Sequence, residues 1–184
     1  MIDFKWSPVL SIYPFSRGFA FVLFEGPNNP FDWGVKDIKE KHRNEKTLDA
    51  IKELIDRYNP DAIIIEETGV GGARRSSRIR KLYRSLTHLC NTELIDLHRF
   101  PPSAIKRYFE PVGAVTKYEI AKAIGRAVPA FAHRMPKVRK PWMSADPKQS
   151  LFDAAALGLV YFGSRGIRSP YQDADDEQVN TSVK

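Results

Sequence analysis

The spacing of hydrophobic positions changes along the chain, and each change marks an element. Residues 9–12 form a short apolar run that ends at Pro14, and residues 19–24 form a second, aromatic-rich run bounded by Gly18 and Gly26. Short runs between turn-forming residues predict strands. Asn28-Asn29-Pro30 predicts a turn and residues 33–36 a short third strand, so the three make an antiparallel meander. Leu48, Ile51, Leu54, Ile55 and Tyr58 then recur at helical spacing until Asn59-Pro60 stops them. Residues 62–65 are continuously apolar with three isoleucines, which suits a strand covered on both faces. A helix is expected over residues 76–89, with Ile79, Leu82, Tyr83 and Leu86 on one side, and a fifth strand over 94–97. Two more helices are expected over 103–109 and 117–128, then a basic, proline-bearing connection over 133–142. The last helix begins at Pro147, with Asp146 as its N-cap, and runs to about Phe162.

Three strands, then helix, strand, helix, strand and further helices describe an α/β fold. Its sheet is mixed and five-stranded, antiparallel at the start and parallel afterwards. Beyond Ser164 the chain turns polar and acidic, with Asp173, Asp175, Asp176 and Glu177. The expected organisation is one domain over residues 1–164 and a disordered acidic tail over 165–184.

Composition is that of an ordinary globular protein, 42% apolar and 28% charged. The net charge of +7 points to a polyanionic partner if the cations cluster. They do. Arg74, Arg75, Arg78, Arg80, Lys81 and Arg84 fill one stretch, directly after Gly69-Val70-Gly71-Gly72. Lys106, Arg107 and Lys117 form a second group, and Arg134, Lys137, Arg139 and Lys140 a third. A glycine loop opening a basic helix suits phosphate contacts. Solvated helix faces are the plainer explanation of any one cluster, but three in one domain favour nucleic acid. The lone Cys90 rules out an intrachain disulfide and reads as a small core residue, and no apolar run reaches membrane-spanning length. A cytoplasmic protein is expected. His42, His88, His98 and His133 lack metal-ligand spacing.

Two carboxylates stand out. Glu66 and Glu67 end the buried strand, and functional groups gather at the carboxyl ends of strands in open α/β sheets. Side chains alternate faces, so one of the pair points into a site, and Glu66 is the favoured one. Asp153 lies among Leu151, Phe152, Ala154, Ala155, Ala156 and Leu157, where an acid needs a partner or a metal. Capping already explains Asp146.

Four segments in order resemble the RuvC family of Holliday-junction resolvases. They are Val9-Leu10-Ser11-Ile12-Tyr13-Pro14-Phe15-Ser16-Arg17-Gly18, Ile65-Glu66-Glu67, Pro102-Ser103-Ala104-Ile105-Lys106 with Gly113 and Lys117, and Asp153-Ala154-Ala155-Ala156-Leu157-Gly158-Leu159. The resemblance spans residues 8–163 and implies a ribonuclease-H-like fold. It also implies cleavage of phosphodiester bonds with Mg2+ or Mn2+ held by carboxylates, and action as a homodimer. It would make Glu66 and Asp153 both catalytic residues and metal ligands, and would put Lys106 and Lys117 on the nucleic acid; the basic stretch after the glycine loop adds Arg74, Arg75 and Arg78 to the expected nucleic-acid contacts. DNA is the expected partner ahead of RNA. The chain departs from the pattern at three places: Tyr13 replaces the first-strand aspartate, Phe15 replaces a glycine, and Ser150 stands where the last helix carries a second acid. A phenol is a poor ligand for a hard cation. The expectation is therefore a nucleic-acid-binding protein with a degenerate metal site. An active metal-dependent nuclease on branched DNA or structured RNA, and a non-catalytic interaction scaffold, are the alternatives.

Overall fold

The computed structural model describes residues 7–69, 72–138 and 146–166. Val70, Gly71, Arg139, Lys140 and the expected tail from residue 167 onward lie outside them. The elements are β1 (Val9–Phe15), β2 (Gly18–Phe24), β3 (Pro30–Asp37), α1 (Arg43–Tyr58), β4 (Ala62–Glu66), α2 (Ser77–Glu93), β5 (Asp96–Phe100), α3 (Pro102–Phe109), α4 (Lys117–Ala127) and α5 (Pro147–Ser164). Two short 3-10 turns, Glu110–Val112 and Pro129–Arg134, flank α4.

One mixed sheet has the strand order β3-β2-β1-β4-β5. β1 pairs antiparallel with β2 and β2 with β3, whereas β1–β4 and β4–β5 are parallel. This is the five-stranded mixed sheet with flanking helices that the pattern predicts. β1 continues through Pro14 instead of ending there. Its pairing with β4 stops at Ser11, so Pro14 faces no ladder on that side to interrupt.

Alternation along the central strands divides the core in two. Leu10, Ile12, Phe19, Phe21, Leu23, Ile63 and Ile65 face α1 and α2. Tyr13, Ala20, Val22, Phe24, Ala62 and Ile64 face α5 and α4. Because the period is two, Glu66 falls on the α5 side with Ala62 and Ile64. α5 is apolar almost all round, as a helix covering a sheet and covered itself by α4 must be. It lies so close to the sheet that a Cβ on Gly158 would stand 2.3 Å from the Phe24 ring.

The expected fifth strand is displaced. Leu94 is the left-handed C-cap of α2 (φ 57°) and is 91% exposed; the strand starts at Asp96. The run Leu94 to Leu97 was apolar enough to suggest a strand, but its first residue closes the preceding helix. The third strand is longer than the four residues expected, because β3 pairs along the whole of β2. Asp146 caps α5 as expected, its carboxylate accepting from the Lys148 backbone N–H at 3.0 Å, with Pro147 in the first turn.

Candidate nucleic-acid interface and the pocket at the end of strand β4

The carboxyl end of β4 opens onto a pocket of about 80 Å3 lined by Tyr13, Glu66, Pro102, Ile105, Lys106, Val115, Lys117, Ile120, Asp153 and Ala156. Five elements deliver its polar groups, α3 among them with Lys106. β4 supplies Glu66, which is 6% exposed. β1, which pairs with β4 as far as Ser11 beside Ile64, supplies Tyr13 to the same pocket. α5 supplies Asp153, with a side chain 13% exposed. Lys117 is the first residue of α4, fixed there by a capping box: Glu119 N–H donates to the Thr116 hydroxyl at 3.2 Å, and the Thr116 N–H donates to Glu119 Oε2 at 2.8 Å. Glu66 and Asp153, singled out in the sequence, thus line one pocket, together with Lys106 and Lys117. Glu67 is half-buried and outside its lining.

Two cations already hold these carboxylates. After β4 the chain folds back, the Ala73 N–H donating to Glu67 O at 2.7 Å, and Arg75 returns to Glu66 and the Tyr13 ring at the edge of the pocket. Arg75 Nε donates to Glu66 Oε2 at 2.7 Å, and Nη2 forms an ion pair with the same oxygen without a hydrogen bond of good geometry. Lys117 Nζ donates to Asp153 Oδ2 at 2.7 Å and to the Tyr13 hydroxyl at 2.8 Å. Gln149, one turn before Asp153, donates to its other oxygen at 3.3 Å. Tyr13 sits between the two pairs: Arg75 Cζ lies 4.4 Å and Lys117 Nζ 4.9 Å from its ring centroid. Both distances are within cation–π range.

The protonation states follow from these contacts. Burial, and then the Asp153 carboxylate, hold the Tyr13 phenol above its ordinary value, so the ring stays neutral. Burial works against the charge on Lys117, but Asp153 and Tyr13 prevail and raise it above the usual ammonium range. Arg75 carries its charge at any accessible pH. Glu66 and Asp153, taken as ionised in their pairs, against Arg75 and Lys117 sum to zero formal charge.

That donor set does not fit the pair of divalent ions implied by the resemblance. The expected third acid is Tyr13, a neutral phenol, and the expected fourth is Ser150, buried and uncharged. Among the described residues no group of three or more His, Cys, Asp or Glu could hold a metal ion. The two carboxylates that remain are each neutralised by a tethered cation.

The other basic residues divide by what occupies their donors. Arg78 Nη2 donates to Phe15 O at 2.6 Å and to Ser16 O at 3.3 Å, and Nη1 donates to Asn44 Oδ1 at 3.0 Å. It ties the start of α2 to the β1–β2 turn and to α1. Arg75 is equally committed, to Glu66. Arg74 and Lys106 are exposed. Arg80 and Arg84, with Thr68, Gly69 and Ser77, line a furrow of about 390 Å3 along the start of α2. Neither arginine has a carboxylate partner among the described residues. Sequence reasoning placed the cations correctly on one segment but missed which are internal. The Arg75–Glu66 pair, Tyr13 as their support and Gln149 beside Asp153 were also missed. The Gln149–Asp153 spacing of four on a helix was the one signal available.

Neither a protein-family model nor a curated protein sequence matches the chain. Solved structures do. RuvC of Thermus thermophilus superposes with a TM-score of 0.61 at 16% identity, over 87% of this chain and 97% of that one. The same organism's RuvC in complex with a Holliday-junction substrate gives 0.57 at 16% identity, over 88% and 97%. The yeast mitochondrial Holliday-junction resolvase Ydc2 gives 0.63 at 16% identity, over 95% and 85%. TM-scores of 0.57–0.63 and near-complete mutual coverage establish that the chain has the RuvC-like, ribonuclease-H-like fold of the Holliday-junction resolvases.

Proposed function

We propose that this chain binds DNA across the surface around the Glu66–Asp153 pocket and does so without metal-dependent cleavage. The observation that carries this reading is the double neutralisation at the pocket, Arg75 on Glu66 and Lys117 on Asp153, beside nearby cations that have no carboxylate partner among the described residues. Arg74, Arg80, Arg84 and Lys106 are free to meet phosphates. Arg74 and Lys106 follow the carboxyl ends of β4 and β5, and Arg80 and Arg84 lie along the start of α2. Lys117 contributes a half-committed charge, since its side chain keeps 60% exposure while paired. A solved relative in fold holds a Holliday-junction substrate, which makes a four-way DNA junction the first ligand to try.

The test is binding of a labelled four-way junction, a duplex and a structured RNA across a salt series, with cleavage read in Mg2+ and Mn2+. Each phosphate neutralised contributes about −0.9 to the slope of log K against log salt, so four free cations predict a slope of roughly −3 to −4. Lys106→Ala with Lys117→Ala lowers affinity at low salt and flattens the slope. Salt-independent or absent binding to all three ligands favours the interaction scaffold. Efficient cutting that disappears in Glu66→Gln restores the active-nuclease reading.

A further inference from the structure

We infer that Arg75 is a tethered stand-in for a divalent cation, held over Tyr13 and against Glu66, and that it bars metal from the pocket independently of the missing acids. The inference rests on the non-cleaving reading above and deepens it. Without Arg75, loss of the first-strand acid would leave a weakened metal site that an added carboxylate could repair. With Arg75 present, an incoming ion meets a fixed positive charge on one of its two remaining carboxylates.

The geometry supports a built device. Arg75 lies nine residues beyond Glu66 and is brought back by the loop that follows β4. Its side chain is only 14% exposed and Glu66 only 7%, so the pair is shielded from the water that would otherwise screen it. The face of Tyr13 lies 4.4 Å from the guanidinium carbon. Aspartate there would offer no such platform, so Tyr13 and Arg75 act together: the ring that removes a ligand also supports the cation that replaces the ion. Lys117 completes the arrangement at Asp153 but remains largely exposed and could be displaced. Arg75 is enclosed and is the stronger barrier.

The experiment measures Mn2+ binding by calorimetry, and thermal stability with and without Mn2+, for the wild type, Tyr13→Asp, Arg75→Gln and the double variant. Removing a unit positive charge about 5 Å from a divalent ion strengthens its binding roughly tenfold even at the dielectric constant of water. The double variant is therefore expected to bind Mn2+ at least about tenfold more tightly than Tyr13→Asp. Arg75→Gln is expected to bind it more tightly than wild type, and both Arg75 variants to melt higher in excess Mn2+. If Tyr13→Asp binds as tightly as the double variant, the missing acid alone excludes metal and the inference is overturned while the non-cleaving reading stands. If the wild type itself binds Mn2+ tightly, both are overturned. Failure of the two Arg75→Gln proteins to gain stability from Mn2+, whether folded or unfolded without it, also overturns the inference, because compensation of Glu66 by the ion is what it requires.

Discussion

Replacing Arg75 by alanine strands the Glu66 carboxylate, and the cost can be worked from the contacts. The pair is almost fully enclosed, with side-chain exposures of 14% and 7%. Removing one partner of such a pair costs about 3–5 kcal/mol, since the other charge stays buried without compensation. A Coulomb estimate at roughly 4 Å and an effective dielectric near 20 gives about 4 kcal/mol, in the same range. Loss of the contact with the Tyr13 ring adds about 0.5–2 kcal/mol. The sum is a large share of the roughly 5–15 kcal/mol that holds a domain together. At about 2–4 °C per kcal/mol for a chain of this size, the ion-pair loss of about 4 kcal/mol alone lowers Tm by roughly 8–16 °C. Urea and thermal unfolding followed by circular dichroism at neutral pH measure this. The cause is isolated by adding Glu66→Gln: with no charge left to strand, the double variant recovers about 2 kcal/mol relative to Arg75→Ala. An Arg75→Ala protein within about 1 kcal/mol of wild type would mean the pair behaves like a surface ion pair, and the account of an enclosed, neutralised pocket would be refuted.

Two other outcomes follow from the same structure. Arg78→Ala lowers stability by about 1–3 kcal/mol by taking the side-chain donor from Phe15 O and Asn44 Oδ1, yet leaves the salt slope of DNA binding unchanged, whereas Arg80→Ala with Arg84→Ala does the reverse and reduces the slope by about 2; equal slopes for the two proteins would show that the furrow beside α2 carries no phosphate. Gly158→Ala destabilises by about 1–3 kcal/mol in a thermal melt despite alanine's better helix propensity, because its Cβ would stand 2.3 Å from Phe24; a protein as stable as wild type would show that α5 can lift from β2.

What could be read from the sequence was local. Hydrophobic period gave the order of strands and helices. Asp146 followed by Pro147 gave the start of α5, and alternation along β4 separated Glu66 from Glu67 by face. These depend on residues within a turn or two of each other. The boundary at Leu94 failed because a left-handed cap and the first residue of a strand look alike when both are apolar. The pocket's chemistry was less legible for a different reason. Tyr13 meets Lys117 across 104 positions, and Lys117 meets Asp153 across 36. Only the fold decides such pairs. A composition-level view saw Arg75 and Arg78 as two more cations for phosphate; in the structure Arg75 pairs with Glu66 and Arg78 donates to the β1–β2 turn. Tyr13 was visible as a missing ligand but not as a support for cations, since that role needs the positions of Arg75 and Lys117.

The account turns on a pocket already neutralised from within. Crystals of the wild-type protein soaked in Mn2+, with anomalous scattering collected for manganese, test this most directly. The prediction is no manganese peak between Glu66 and Asp153, with Arg75 still on Glu66 and Lys117 still on Asp153. A peak bridging the two carboxylates, with Arg75 swung out of the pocket, would contradict it.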